Sequence, residues 1–167
     1  MSDAFEFLAR DHADLRKRLS QLEMGPAGQY SATDDNLPQR RARVERLITV
    51  ASGHEATEET CFWPAVRAAL PDGDELAGVA TGQESASKRA LDRLGALDVG
   101  QPEFEALLAE FTRAAREHID YEENVVWPRL RAALTAGQAE DLGRQLEAAD
   151  QTAATGPYPS IPSGPAV

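Results

Sequence analysis

A histidine followed four residues later by a glutamate occurs twice in this sequence, within two copies of one segment. The copies span residues 54–70 and 118–134, and nine of their seventeen aligned positions are identical. Residues four apart on an α-helix lie on the same face, so both side chains of a pair can reach one metal ion. The two pairs are His54 with Glu58 and His118 with Glu122. This internal repeat therefore indicates two related metal-binding half-sites.

The residues around each pair place both pairs on the core-facing side of their helices. Steps of three and four residues from the pairs meet small or apolar side chains, namely Val44, Leu47, Ala51, Cys61, Ala65, Ala68, Leu108, Phe111, Ala115 and Val125. A carboxylate buried there without a partner would be costly or would take up a proton. We therefore expect a cation between the pairs. The alternative is that the histidines are core residues hydrogen-bonded to the neighbouring glutamates.

Four amphipathic helices are expected to position these pairs. Gly25-Pro26 ends the first helix, Pro71-Asp72-Gly73 the second and Gly100-Gln101-Pro102 the third. The predicted helices span residues 3–24, 37–70, 74–97 and 103–136. Pro64 and Pro128 fall inside the second and fourth helices, where each removes a backbone hydrogen bond, so we expect a kink at both.

The short connections predict an all-α fold, an antiparallel up-down-up-down four-helix bundle. Residues 25–36 are expected to form a loop and residues 137–150 a short fifth helix. The tail that follows is rich in Pro, Gly, Ser and Thr, and it cannot bury enough apolar surface to order itself alone. We thus expect one domain over residues 1–150 and a flexible tail over residues 151–167.

The first and third helices add one residue each to the candidate site. In the first helix, His12 is the only polar residue in the core-facing rhythm. Aligning the first helix with the third by their leucines places Glu84 at the position of His12. The complete set of candidate metal ligands is His12, His54, Glu58, Glu84, His118 and Glu122.

Imidazoles and carboxylates without thiolates form a donor set that suits iron or manganese. Six ligands, of which two carboxylates can bridge, make two metal ions the natural count. Zinc prefers fewer ligands in a closed tetrahedral site. The donor set therefore indicates a two-metal centre in the core of the bundle.

The composition narrows the possible partners and the location. The formal net charge of −11 argues against a nucleic acid or an anionic membrane as partner. The single cysteine, Cys61, excludes an intramolecular disulfide, and the N-terminus lacks the pattern of a signal peptide. No window approaches a membrane span. We expect a cytoplasmic protein that acts on a small molecule.

Together these motifs resemble the hemerythrin-like, or HHE cation-binding, family. The resemblance covers residues 5–134, with a histidine on the first helix and the doubled motif of histidine, two glutamates, an aromatic residue and proline. The family usually has a histidine on the third helix, where this chain has Glu84. Glu55 is the alternative to Glu84, since some relatives recruit the acid directly after the first histidine.

The resemblance also implies a role for each ligand around two iron ions joined by an oxo or hydroxo bridge. Glu58 and Glu122 would bridge the irons. His12 and His54 would serve one iron, and His118 with the third-helix residue Glu84 would serve the other. The glutamates after the bridging pair, Glu59 and Glu123, are expected beside the ligands or exposed. Four residues near the site are interpreted as core packing: Trp63, Trp127, Tyr121 and Cys61.

The formal charge of the centre separates the possible activities. Two ferric ions with three carboxylates and an oxo bridge leave about +1, against about +2 for an oxygen carrier with five histidines and two carboxylates. The added anionic ligand favours the ferric state and disfavours reversible oxygen carriage. The resemblance therefore implies a diiron oxidoreductase with catalase-like breakdown of hydrogen peroxide. The alternative is a module that binds or senses oxygen, nitric oxide or iron without turnover.

Overall fold

The computed structural model describes residues 2–23 and 37–155, and this part of the chain contains only helices and short turns. The predicted loop and most of the predicted tail lie outside the described residues. The α-helices are α1 (Ala4–Glu23), α2 (Leu37–Thr57), α3 (Trp63–Ala69), α4 (Gly73–Ala96), α5 (Pro102–Tyr121), α6 (Trp127–Ala133) and α7 (Ala136–Thr155). Two π-helical turns complete the chain: π1 (Glu58–Phe62) joins α2 to α3, and π2 (Glu122–Val126) joins α5 to α6.

Four rods form the predicted antiparallel bundle: α1, α2 with α3, α4, and α5 with α6. Helix α1 packs against α2 and α5, while α4 packs against α2, α3 and α5. The all-α prediction is therefore confirmed. None of the helices in the described part of the chain combines the length and hydropathy needed to cross a membrane.

The core consists of two apolar clusters with a polar layer between them. One cluster contains Phe5, Phe62 and Val126, and the other contains Leu19 and Phe104. Along each rod, the candidate ligands fall between residues of the first cluster and residues of the second. All six are buried: His12, His54, Glu58, Glu84, His118 and Glu122. The bundle thus holds its ionisable groups in a layer closed by apolar side chains at both ends.

A π turn precedes each of the two prolines and shifts the apolar register by one residue. The backbone N–H of Trp63 donates to the carbonyl of Glu58, five residues earlier, and the same bond joins Trp127 to Glu122. Because each π turn holds one residue more than an α turn, the core positions after it move along the chain. Phe62 and Val126 are fully buried in consequence.

The register shift corrects the core positions expected from a continuous α-helix. Val125 is 40% exposed, and Ala68 is also exposed. Cys61 and Ala65 are only partly buried and pack against the first apolar cluster. A period of 3.6 residues placed these four side chains in the core, and the inserted residue moves them toward the surface or onto it.

Helix α7 is longer than the fifth helix expected at residues 137–150. It begins with a capping box in which Thr135 N–H donates to Gln138 Oε1 at 2.9 Å, and Gln138 N–H donates to Thr135 Oγ1 at 3.3 Å. Its apolar side packs on α1, α2 and π1. Leu146 is fully buried there. Residues 151–155 belong to this helix, so the boundary predicted at residue 150 falls inside it.

Candidate metal centre

Two overlapping groups of side chains offer ligand atoms that could hold metal ions. Within each group these atoms lie within 4.8 Å of one another. The first group is His12, His54, Glu58 and Glu122, and the second is Glu58, Glu84, His118 and Glu122. Glu58 and Glu122 belong to both groups. The arrangement consists of two adjoining groups, each of which could hold a cation, that share two carboxylates.

Glu122 lies between histidines of the two groups. Its Oε2 atom is 3.0 Å from His12 Nε2, and its Oε1 atom is 3.2 Å from His118 Nε2. Burial acts to raise the pKa of Glu122, but its contacts with His118 and His12 outweigh burial and hold the pKa at about 2. Glu122 is therefore ionised and directs one oxygen toward each group.

The pKa values of the other two glutamates are shifted upward. Burial, followed by the charges of Glu122 and Glu84, raises the pKa of Glu58 well above its ordinary value. Burial raises the pKa of Glu84 to about 8, although a hydrogen bond from Trp63 acts in the opposite direction. Without a cation Glu84 is mostly protonated at neutral pH, and Glu58 binds a proton more readily than an ordinary glutamate. A cation that binds here would displace those protons.

The buried polar atoms of both groups fit bound cations. These atoms approach each other closely, yet none has a hydrogen bond of acceptable geometry: His12 Nε2, His54 Nε2, both oxygens of Glu58, Glu84 Oε2, His118 Nε2 and both oxygens of Glu122. Buried polar groups are almost always satisfied in folded proteins, because each unsatisfied group costs about 1–3 kcal/mol. Metal ions would satisfy these atoms together, and imidazole with carboxylate is a donor set typical of iron.

Three residues outside the two groups orient the histidines. His12 Nδ1 lies 2.9 Å from Glu123 Oε1, and Arg16 donates two hydrogen bonds to the same carboxylate, at 2.7 and 2.8 Å. His118 Nδ1 lies 2.9 Å from Gln83 Oε1. A partner at Nδ1 fixes the ring and leaves Nε2 free for a metal. Glu123 was predicted to lie beside the ligands or to be exposed, whereas Arg16 and Gln83 were not predicted.

Glu55, the alternative ligand, lies next to the two groups but belongs to neither of them. Its Oε1 atom accepts a hydrogen bond from Ser87 Oγ at 2.6 Å, and its Oε2 atom is buried without a partner. Burial raises its pKa to about 7. Glu59 is exposed and pairs with Lys88 at 2.5 Å. The sequence left a choice between Glu84 and Glu55, and of these two residues Glu84 is the one in the second group.

Two tryptophans interpreted as core packing also contact candidate ligands. Trp63 Nε1 donates a hydrogen bond of 2.5 Å to Glu84 Oε1. The ring of Trp127 stacks on the ring of His12 with centroids 5.0 Å apart. The repeat offered a signal for these contacts, because both tryptophans follow their histidine at the same spacing. Tyr121 and Cys61 instead donate to backbone carbonyl groups and pack against the apolar core.

A small cavity adjoins the two groups. Its volume is about 30 Å³, and its polar lining consists of His54, Glu55, Ser87 and His118. The remaining lining residues are apolar or small and come from α1, α2 and α5, among them Leu15, Leu47 and Phe111. A cavity of this size holds one or two molecules of the size of water.

Two known proteins resemble this chain in part or in fold. A hemerythrin HHE cation binding domain-containing protein from Mycobacterium kansasii has a crystal structure with a TM-score of 0.76 to this fold. That likeness covers 92% of this chain and 88% of that chain at 21% identity, so it shows the shared fold alone. A DNA nickase from Nostoc sp. (strain PCC 7120 / SAG 25.82 / UTEX 2576) is 27% identical over 100 residues. This match takes 59% of the chain and only 27% of the nickase.

The strongest assignment comes from the family model of the hemerythrin HHE cation binding domain, which matches residues 3–130. The matched range includes all six candidate ligands and both π turns. The family binds metal, typically iron, and the grouped histidines and glutamates of this chain could hold such ions. The chain therefore belongs to the hemerythrin HHE cation-binding domain family.

Proposed function

We propose that this protein is a non-haem diiron oxidoreductase that breaks down hydrogen peroxide in a catalase-like reaction. In this proposal Glu58 and Glu122 bridge the irons. His12 and His54 complete one iron site, and His118 with Glu84 completes the other. We also propose a cytoplasmic location and a partner that is a small molecule rather than a nucleic acid or a membrane.

The third carboxylate of the site carries this proposal. Glu84 is fully buried, and its Oε2 atom lies without a hydrogen-bond partner in the second group. Three carboxylates and an oxo bridge around two ferric ions leave a formal charge of about +1, which stabilises the ferric state. A resting ferric pair suits reaction with peroxide, whereas oxygen carriage requires a stable ferrous pair.

Bound irons would relay two electrons from one peroxide molecule, which becomes dioxygen, to a second peroxide molecule, which becomes two water molecules. The protein chain positions the ligand side chains and limits the space beside them to a small molecule. Glu123 and Gln83 fix the rings of His12 and His118, so that each Nε2 faces the shared carboxylates. The cavity of about 30 Å³ accommodates one small molecule beside His54 and His118.

Glu55 supports the same reaction from the wall of the cavity. Its Oε2 atom has no hydrogen-bond partner, and the pKa of this carboxyl is raised to about 7 by burial. A carboxyl oxygen that has no hydrogen-bond partner and borders the cavity can hold a proton released by a molecule bound there. We propose that Glu55 Oε2 holds one of the two protons released by the peroxide molecule that becomes dioxygen and passes it to the peroxide molecule that is reduced to water, while solvent water carries the other proton.

The test is metal analysis combined with an oxygen electrode. Protein expressed in iron-supplemented medium should contain two irons per chain and should evolve oxygen from hydrogen peroxide. Protein that has been freed of iron by chelation and then loaded with zinc is the control, and it should be inactive. A preparation with two irons per chain that evolves no oxygen would overturn the proposed activity.

The small cavity also favours a second candidate function, a module that binds or senses oxygen, nitric oxide or iron. Its volume suits a diatomic ligand as well as peroxide. The two functions differ in their spectra. A sensor would show a reversible change of the optical spectrum on addition and removal of the ligand, with no product released. The enzyme would consume peroxide through many turnovers.

A further inference from the structure

The two tryptophans of the repeat occupy equivalent positions but contact their ligands in different ways. Trp63 is the tenth residue of the first copy, and Trp127 is the tenth residue of the second. Trp63 donates its indole N–H to Glu84 on α4. Trp127 stacks its ring on His12 of α1, and its Nε1 atom is buried without a hydrogen-bond partner.

This difference follows the difference between the ligands. Aligning α1 with α4 places His12 and Glu84 at equivalent positions, so each tryptophan faces the same position on the first helix of the other repeat unit. Where that place holds an imidazole, the indole offers a flat surface. Where it holds a carboxylate, the indole offers a hydrogen-bond donor.

We infer that Trp63 is the positioning residue for Glu84: its indole N–H occupies Oε1, so that only Oε2 is presented to a cation in the second group. This inference rests on the proposed metal centre and assigns Trp63 a role beyond packing.

The geometry around Glu84 supports a one-oxygen contact. Trp63 and Glu84 are both fully buried, so water does not compete for the 2.5 Å hydrogen bond. When a cation displaces the proton of Glu84, the carboxylate becomes ionised, and a hydrogen bond to an ionised carboxylate is about twice as strong as a neutral one. The other oxygen, Oε2, has no hydrogen-bond partner, and Glu84 belongs to the group that contains His118. One oxygen is therefore occupied and the other is free.

Trp63 itself is held in place from two sides. Its backbone N–H donates to the carbonyl of Glu58, the first residue of π1. Its ring makes an edge contact with Phe62, with centroids 4.9 Å apart. One residue thus connects the backbone of a candidate bridging ligand with the side chain of another ligand. A change in Trp63 should alter the second cation site more than the first.

The experiment is an anaerobic calorimetric titration of metal-free protein with Fe(II), which yields two dissociation constants. The Trp63→Phe variant keeps an aromatic ring and removes the donor. We expect it to weaken one Fe(II) site roughly 10- to 100-fold, the usual effect of losing a group that orients a metal ligand. The other site should keep its affinity within about threefold.

Trp127→Phe is the matched control, since it retains a ring against His12 and loses no hydrogen bond. Its two affinities should stay near those of the unaltered protein. Equal effects of Trp63→Phe and Trp127→Phe would overturn the inference, because loss of ring volume would then explain both. If the unaltered protein binds fewer than two Fe(II) ions, the inference and the proposed centre fail together.

A second substitution covers the case in which Trp63→Phe does not fold. In the Trp127→Phe background, replacing the remaining tryptophan with benzothienylalanine preserves its shape and exchanges N–H for sulfur. The same loss at one site is expected, and an unchanged affinity would overturn the inference. A protein that binds two Fe(II) ions and responds as predicted, yet evolves no oxygen, would disprove only the proposed activity.

Discussion

Glu58 and Glu122 each begin a π turn at the same position of the repeat, and each belongs to both groups of candidate ligands. Replacing either with Ala should remove both irons, because each carboxylate contributes to two cation sites at once. Metal analysis of the purified variants would measure this loss. Retention of one iron by Glu58→Ala or Glu122→Ala would show that the carboxylate does not bridge.

Glu84→Ala should weaken one iron site and spare the other, because Glu84 belongs to the second group alone. The expected loss of iron affinity is larger than the roughly 10- to 100-fold loss caused by removing a residue that only orients a ligand. Glu55→Ala is the comparison, since the two residues compete for this role in the sequence. Full iron content in Glu84→Ala together with loss of one iron in Glu55→Ala would transfer the role to Glu55.

Glu123→Ala should reduce the affinity of the site that contains His12, because the carboxylate orients that ring and is itself held by Arg16. The expected reduction is roughly 10- to 100-fold. Glu59→Ala is the matched control at the equivalent position of the repeat, where the side chain is exposed and pairs with Lys88. Similar effects of the two substitutions on Fe(II) affinity would contradict the orienting role.

The metal-free protein should lose stability as the pH rises from about 4.5 to about 8. Burial raises the pKa of Glu55 to about 7 and that of Glu84 to about 8, from 4.5. A raised pKa in the folded state gives stability that is complete below the unfolded pKa and is lost as the pH rises through the folded pKa. Each group can contribute up to about 1.4 kcal/mol per pH unit in this window.

Three other groups of the site modify this pH dependence. Burial lowers the pKa of His54 below its ordinary value of 6.5, which acts in the opposite direction. Burial and the charge of Glu122 raise the pKa of Glu58, and the contact with Glu122 outweighs burial and raises the pKa of His118, so both add to the loss. Urea unfolding of metal-free and iron-loaded protein across this range would measure the slope. A metal-free protein that is as stable at pH 8 as at pH 5 would contradict the prediction.

The bundle and the grouping of the six side chains could be predicted because both depend on spacing along helices. A histidine four residues before a glutamate lies on one helical face whatever the partner helices are, and His12 stands out as polar among apolar neighbours. The structure brings these side chains together, while their role as ligands stays a prediction.

Other features depended on contacts that spacing does not show. A proline inside a helical pattern predicts a lost hydrogen bond, but it does not reveal the extra residue of a π turn, so Val125 was wrongly placed inward. The bond from Trp63 to Glu84 joins residues on different helices, and periodicity carries no information about it. The extension of α7 to Thr155 exceeded the weak amphipathic pattern on which the prediction relied.

The extra residue in each π turn rotates the end of its rod by roughly 100° relative to a continuous α-helix. In the straight alternative, the chain after Glu58 would direct Cys61 inward and turn Phe62 and the indole of Trp63 away from α4. Deleting one residue from each π turn should therefore leave a helical rod that still carries its histidine and glutamate but has lost the aromatic wall behind them. Because of this single inserted residue, the short segment from Glu58 to Trp63 presents both a candidate ligand and the indole that positions Glu84.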